Sequence, residues 1–409
     1  MRILIHGINF TPELTGIGKY TGEMATWLAS AGHEVRVVTA PPYYPDWQVW
    51  PGYHATCYTH EIWQDVRIWR TPLWVPARPS GLKRLLHLAS FALFSFPVML
   101  RQILWRPNVV WVVEPTLFCA PAALCVARLT GARAWLHVQD FEVDAAFALG
   151  LLPDGRSRRL VAELERWLML RFDRVSTISA SMLVRASAKG VAADRQVHFP
   201  NWVDLEAIQP LPTPSRYRAE LSIPAETVVA MYSGNMGGKQ GLEVLAQAAA
   251  LLQDVAGLVF IFCGNGAGRD GLIRQCAGLP NVRFMDLQPL TRLGELLAMA
   301  DIHLLPQRAD AAELVMPSKL TGMLASGRPV VATAHPDTEL ANVVTGRGLV
   351  VPPEQPHAFA EAINFLAQDA RLRARLGAAG RAYAEANLDR DAVMGRFEAE
   401  LKKILGAED

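Results

Sequence analysis

Cysteine is sparse in this chain. Cys57, Cys119, Cys125, Cys263 and Cys276 are scattered, odd in number, and never spaced as CxxC. That excludes a disulfide framework and a thiolate zinc site, and it fits a reducing compartment. An excess of one charge is also lacking. Forty Lys and Arg against 39 Asp and Glu leave a formal net charge of +1, so no global field draws nucleic acid. No uninterrupted apolar run reaches about 18 residues, so a membrane-spanning helix is not expected. Arg2 opens a strand-like run directly after Met1, with no signal-peptide pattern before it. What the chain does have is length, 409 residues, and 51% hydrophobic residues, ample for two or three cores built on large sheets.

The first half alternates strand and helix. Arg2 to Gly7 reads as a buried strand, a loop carries Gly16 and Gly18, Thr21 to Ala31 reads as a helix, and Val35 to Thr39 is the next strand. This is a βαβ unit whose first-loop glycines let backbone approach a ligand closely. It is not GxGxxG, since Thr21 stands three after Gly18, and no acidic residue follows the second strand, so a dinucleotide site is disfavoured. The stretch from Pro41 to Pro79 is rich in proline and aromatics, including Tyr43 and Tyr44, which suit either a core or the stacking of sugar rings. Residues 83–101 are apolar and bracketed by Lys83, Arg84 and Arg101. They read as a helix lying in a membrane interface or as one buried on the sheet. Further strands are expected at Val109 to Val113, Ala134 to Val138, Val175 to Ile178 and Val197 to Phe199. His137, Asp140, Glu142 and Asp144 cluster at the end of one of them, as electrostatic or general-base groups or as surface charge at a helix start. Pro210, Pro212 and Pro214 then mark a linker.

The second half repeats the alternation. Strands are expected at Val228 to Tyr232, Leu258 to Cys263, Asn281 to Met285, Ile302 to Leu305, Val330 to Ala332 and Leu349 to Val351. After the first comes Ser233 to Gly241, a glycine loop carrying Lys239 that leads into a helix and reads as a diphosphate cradle. It lacks the GKS/T of a Walker loop. After the fourth comes Ala312 to Pro329. There Pro317 suits a helix start, Ser318 can cap it, Lys319 adds a positive charge and Gly327 suits the stop. Ligand is expected between two doubly wound α/β domains, at the carboxyl ends of both sheets.

These motifs taken together resemble the family 4 retaining glycosyltransferases of the GT-B fold. The resemblance rests on Pro12 to Tyr20, Phe199 to Asp204, Ser233 to Gly241, Gly264-Asn265-Gly266, and Pro317-Ser318-Lys319 through Val331. The runs Glu13 to Met24 and Thr39 to Pro45 look most like the colanic acid biosynthesis fucosyltransferases. The resemblance implies two Rossmann-like domains facing a central cleft. An acceptor-side domain spans 1–205, a sugar-nucleotide domain 206–385, and a C-terminal helix, 386–409, is placed to pack back on the first. It implies donor contacts from Gly16, Gly18, Gly234, Asn235, Lys239, Gly264, Asn265, Glu313, Ser318 and Lys319. The acceptor-side residues are Lys19, Tyr20, Tyr43 and Tyr44, and the catalytic set is Asp140, His137, Lys239 and Lys319. No essential metal and no cofactor beyond the sugar nucleotide are implied, and no DxD lies between apolar strands. Partners would be GDP-fucose, a lipid-linked saccharide and the cytoplasmic face of a membrane, met through residues near 83–101. Two positions depart from the family pattern. Gly322 stands where a ribose-binding glutamate is usual, and Asn235 where an arginine is usual. Rival readings are a sugar-nucleotide 2-epimerase using Asp140, Glu142 and Asp144, and a non-catalytic scaffold.

Overall fold

The computed structural model describes residues 1–14, 16–77, 81–114, 117–141, 143–144, 156–211, 213–237, 240–309 and 317–406. The chain divides into two compact units, Met1–Pro200 with Met394–Asp409, and Asn201–Val393. The divisions fall at 200/201 and 393/394, against the expected 205/206 and 385/386. Val203 explains both shifts. Its N–H donates to the carbonyl of Leu388 and its own carbonyl accepts from Arg390, which ties the start of the second unit to its end.

The first unit is built on an eight-stranded sheet. Its strands are β1 (Arg2–His6), β2 (Glu34–Thr39), β3 (Thr59–Trp63), β4 (Val66–Arg70), β5 (Val109–Glu114), β6 (Arg133–Val138), β7 (Arg174–Thr177) and β8 (Gln196–His198). They lie in the order β3-β4-β2-β1-β5-β6-β7-β8, all parallel except β3 against β4. The strands expected here occur within a residue or two at each end. The β3–β4 hairpin was not legible, because its two turn residues are Gln64 and Asp65, both at positive φ (45° and 65°). A two-residue hairpin turn of that geometry is ordinarily announced by Asn-Gly or Asp-Gly.

Two helices in this unit need description. Helix α1 (Gly16–Ser30) begins five residues earlier than expected, so Gly16 and Gly18 belong to its first turn and not to a loop. Helix α2 (Gly81–Arg101) buries His87, Leu88, Phe91, Ser95 and Met99 on one face. His6 Nε2 lies 2.9 Å from Ser95 Oγ, and His87 Nδ1 lies 2.6 Å from the carbonyl of Trp74. The opposite face exposes Leu82, Leu86, Leu93 and Phe96, which fall within one stripe at 3.6 residues per turn. Buried packing and an uncovered apolar stripe therefore coexist. With the turn that follows, the segment runs Gly81–Trp105 and is long and apolar enough, by length and composition, to cross a membrane, which the interrupted apolar run did not lead us to expect. The last helix, Arg390–Ile404, carries Phe397 into the first unit, where its ring stacks on Phe199 (4.5 Å) and meets Trp111 edge-on (4.7 Å).

The second unit holds β9 (Val228–Ser233), β10 (Leu258–Cys263), β11 (Val282–Met285), β12 (Ile302–Leu305), β13 (Val330–Thr333) and β14 (Gly348–Val351). The sheet is wholly parallel, in the order β11-β10-β9-β12-β13-β14. Both faces are covered. Val229, Met231, Ile261 and Cys263 join one apolar cluster, while Ala230, Tyr232, Phe260 and Phe262 join the other. A strand buried on both sides reads as a continuous apolar run, and these strands were expected for that reason. The order reverses beside β9, which has β10 on one side and β12 on the other. In open α/β sheets that reversal opens a crevice at the carboxyl ends of the strands.

Candidate functional site

In the second unit the loop after β9 and the loop after β10 are knitted together. Met236 N–H donates to Asn265 O (2.8 Å), Gly268 N–H to Met236 O (2.8 Å) and Gly234 N–H to Cys263 O (2.9 Å). The glycines serve this contact. A Cβ on Gly264 (φ 144°) would overlap the Gly234 carbonyl oxygen, far inside van der Waals contact distance. One on Gly266 (φ 145°) would meet Asn235 Oδ1 at 2.6 Å and Met236 O at 2.7 Å. Gly264, expected among the donor-binding residues, also lets the two loop backbones approach each other. Asn235 and Asn265 are left exposed at the tips of the paired loops.

Lys319 opens the short helix Lys319–Ala325. Its Nζ donates to Tyr232 Oη at 2.9 Å and sits 4.2 Å from the centre of the Tyr232 ring. A Cβ on Gly234 (φ 125°) would lie 3.5 Å from both Lys319 Cε and Nζ, so the glycine leaves the space that the ammonium fills. The residue as a whole is half-buried, yet its ammonium end is enclosed. Burial pushes its pKa down to about 7, and no charged neighbour among the described residues contributes. Ser318 does not cap this helix. It is already helical in backbone conformation, its side chain makes no cap bond, and the first turn is closed by Leu320 N–H on the Pro317 carbonyl (3.0 Å). Gly327 does end the helix, at φ 70°. Ser326 is buried, donating to Met323 O (2.7 Å) and lying 2.9 Å from His303 Nε2, so the serine before Gly327 is a core brace. Gly322 is packed as well. A Cβ there would meet Leu297 Cδ1 at 3.1 Å and Ile208 Cδ1 at 3.5 Å, so the position usual for a ribose-binding glutamate faces apolar neighbours. Glu313 and Lys239 lie outside the described residues.

In the first unit the residue that organises the candidate acceptor side is Glu13, to which the sequence reading gave no role. It is buried. Its Oε1 accepts the backbone N–H groups of Tyr43 and Tyr44 (both 3.0 Å), and its Oε2 accepts from Asn9 Nδ2 (2.9 Å). Burial raises its pKa, and those donors with Arg70 oppose the rise. A Cβ on Gly18 would meet Glu13 Oε2 at 2.6 Å, so Gly18 seats a buried carboxylate, a packing role that the sequence reading did not give it. Gly16 supplies the turn, with φ 60°. Buried Arg70 braces the same loops through Thr11 O (2.7 Å), Ala40 O (2.8 Å) and Glu61 Oε1 (2.6 Å). An acidic residue amid turn residues just ahead of a GxG was the available signal for Glu13.

Tyr43 is buried edge-on to His87 (4.8 Å) and Trp47 (5.7 Å), and Tyr20 is buried in α1, so neither offers a free ring face as an acceptor platform would. Lys19 pairs with Glu23 (3.0 Å) and lies over Tyr20 (4.5 Å). Tyr44 is half-buried. Its phenol pKa is raised by burial first and then by the charge of Asp140, while Arg84 opposes. The structure thus brings Tyr44 and Asp140 into one electrostatic neighbourhood. It does not admit His137 as an acid or base. That ring is buried between Ser176 Oγ (2.9 Å from Nδ1) and the Gln139 amide nitrogen (2.9 Å from Nε2), and it stacks on Trp111. An amide nitrogen only donates, so Nε2 accepts and Nδ1–H donates, a neutral tautomer. Burial pushes its pKa down to about 3. Asp144 is in an ion-pair network with Lys189 (3.0 Å), which also binds Glu165 (2.5 Å), and Glu142 lies outside the described residues. That leaves the paired acid and base of an epimerase unsupported among the described residues.

Two Rossmann-like units, each with its loops gathered at the carboxyl edge of a parallel sheet, define the GT-B class of fold. Residues 15–202 match the glycosyl transferase 4-like domain, and residues 227–369 match the glycosyl transferases group 1. The chain belongs to this glycosyltransferase family. It is 45% identical over 407 residues to WcaI of Escherichia coli (strain K12), a glycosyl transferase whose name provisionally assigns it to colanic acid biosynthesis. That match covers 97% of this chain and 98% of the relative. Among solved structures, sucrose-phosphate synthase from Thermosynechococcus elongatus superposes with a TM-score of 0.77 at 17% identity, covering 100% of both chains. HepE of Anabaena, solved in complex with UDP-glucose, superposes with a TM-score of 0.70 at 14% identity, covering 98% of this chain and 100% of its own.

Proposed function

We propose that this glycosyltransferase moves L-fucose from GDP-fucose, with retention at the anomeric carbon and without a metal, onto a lipid-diphosphate-linked saccharide in exopolysaccharide assembly. The observation that carries the donor side is the Lys319 ammonium, held at the carboxyl ends of β9 and β12 with a phenol and no carboxylate as its described partner. Cleaving the bond from sugar C1 to the diphosphate oxygen places negative charge on the diphosphate. An enclosed cation with no competing anion among the described residues is suited to stabilise it. In front-face attack the departing diphosphate oxygen takes the acceptor hydroxyl's proton as the new C1–O bond forms, so no protein nucleophile is needed. Lys239 and the loop residues Gly234, Asn235, Gly264 and Asn265 are assigned to the same diphosphate, and Asp140 with Tyr44 to the acceptor. The choice of fucose rests on the motifs that resemble colanic acid fucosyltransferases; the 45% identical relative supports the wider reading of a glycosyltransferase in colanic acid assembly.

A thermal-shift panel of GDP-, UDP- and dTDP-sugars tests the donor. GDP-fucose is expected to give the largest stabilisation, and a larger shift with UDP-glucose would overturn the assignment. Product anomer, read by NMR, checks retention.

The apolar stripe of α2 supports work at the cytoplasmic membrane surface, where Lys83 and Arg101 would meet anionic headgroups. Phe91, which the sequence offers as part of that surface, is fully buried and faces the domain. The informative change is therefore Leu86→Glu with Leu93→Glu, both on the exposed stripe. It is expected to shift the protein from the membrane to the soluble fraction while leaving its thermal midpoint within a few degrees. Unchanged sedimentation with membranes would remove the proposal.

A further inference from the structure

Tyr232 is fully buried at the end of β9, where a phenylalanine would fill the same space, so its hydroxyl calls for an explanation. That hydroxyl is spoken for on both sides. It donates its proton to the Asn235 carbonyl (2.5 Å), which turns its lone pair toward Lys319, and it accepts from the Lys319 ammonium (2.9 Å). Burial raises the phenol's pKa above its ordinary range, so it stays a neutral hydroxyl at all physiological pH values. The result is a fixed chain from the ammonium through the phenol to the loop that begins at Gly234.

We propose that Tyr232 is a positioning residue for the nucleotide diphosphate, holding the Lys319 ammonium over Gly234 in advance of binding and tying its place to the Gly234–Gly237 loop. The inference rests on the reading of Lys319 as a diphosphate ligand given above. A lysine ordinarily has about four freely rotating bonds, and ordering it on binding opposes affinity. Here the side chain is ordered in advance by one charge-assisted hydrogen bond and by the ring beneath it. Among the described residues Tyr232 is the titratable group in contact with the ammonium. With its pKa lowered to about 7 by burial, Lys319 is about half neutral near pH 7 and takes up a proton when an anion arrives. The lysine's contribution to diphosphate affinity is then full below about pH 7 and falls as pH rises above it, while protonation of the nucleotide's own terminal phosphate near about pH 6 is common to all the proteins compared.

The test is calorimetric titration of GDP and of UDP into four proteins: the native chain, Tyr232→Phe, Lys319→Met and the double variant, across pH 6–9. Phenylalanine keeps the ring and removes only the hydroxyl. Tyr232→Phe is expected to weaken binding about tenfold at pH 6.5 in the native background, the ordinary worth of a hydrogen bond to a charge. It is expected to have no further effect once Lys319 is Met, because the phenol acts only through the lysine. The bend in the affinity–pH curve should move up toward the ordinary lysine range in Tyr232→Phe, since the released ammonium regains water. Equal weakening in both backgrounds, no weakening in the native one, or an unmoved or lowered bend would each overturn the proposal. Lys319→Met binding both nucleotides as tightly as the native chain would instead overturn the diphosphate role of Lys319 on which it stands.

Discussion

Lys319→Ala is expected to lower turnover by about 10²–10³-fold, the usual consequence of removing one group that stabilises transition-state charge. The same change is expected to stabilise the fold. In the folded chain the Lys319 ammonium is enclosed and its pKa is lowered to about 7, whereas an unfolded lysine titrates near about 10.4. The unfolded state therefore binds that proton more tightly. The ammonium lowers stability in full below about pH 7, and the penalty is relieved as pH rises from about 7 toward the unfolded value. Alanine removes the penalty and leaves behind the Tyr232 hydroxyl, which keeps its bond to Asn235 O. A steady-state assay beside a thermal melt at pH 6.5 checks both halves. Turnover within a few-fold of the native chain would remove Lys319 from the mechanism. Loss of activity together with a falling thermal midpoint would show that the lysine holds the unit together instead.

Gly264→Ala is expected to be the most damaging single-methyl change in the second unit. The new Cβ would overlap the Gly234 carbonyl oxygen, which is backbone and cannot swing aside, and φ of 144° is itself costly for an L-residue by about 1–3 kcal/mol. Together these reach the exceptional range of about 4 kcal/mol or more. For a unit of this size that lowers the thermal midpoint by roughly 10 °C. Gly257→Ala is the control. Its φ is 73° and nothing lies within 4 Å of the added methyl, so only the left-handed backbone cost of about 1–2 kcal/mol applies. Calorimetry should separate the two clearly. Equal shifts would mean that the two loops part readily and that the glycines serve only the turn.

The alternation of strands and helices was legible because parallel strands covered on both faces must be apolar throughout, and the turns between them need glycine or proline. Val228–Ser233, Leu258–Cys263 and Ile302–Leu305 all announce themselves in this way. The hairpin Thr59–Trp63 with Val66–Arg70 did not, since it is exposed on β3 and turns on Gln-Asp. The candidate site was legible as a set of residue types and not as a set of roles. A glycine reads alike whether it admits a phosphate or, as at Gly18, a buried carboxylate. His137 beside Asp140 resembles an acid–base pair in sequence, yet alternation along β6 turns its side chain into the aromatic packing around Trp111.

What the sequence determined by itself was the architecture and the family, because both are written in local periodicity and in short motifs. What only the tertiary structure decided was which side chains meet. Tyr232 and Lys319 are 87 positions apart, and Glu13 lies 30 positions from the Tyr43 backbone it holds. Such pairings are set by which strands neighbour one another in a sheet and by how closely two loops can approach. Composition carries neither, whereas packing fixes both, since an enclosed charge or polar group must find its partner among whatever the fold brings within about 3 Å.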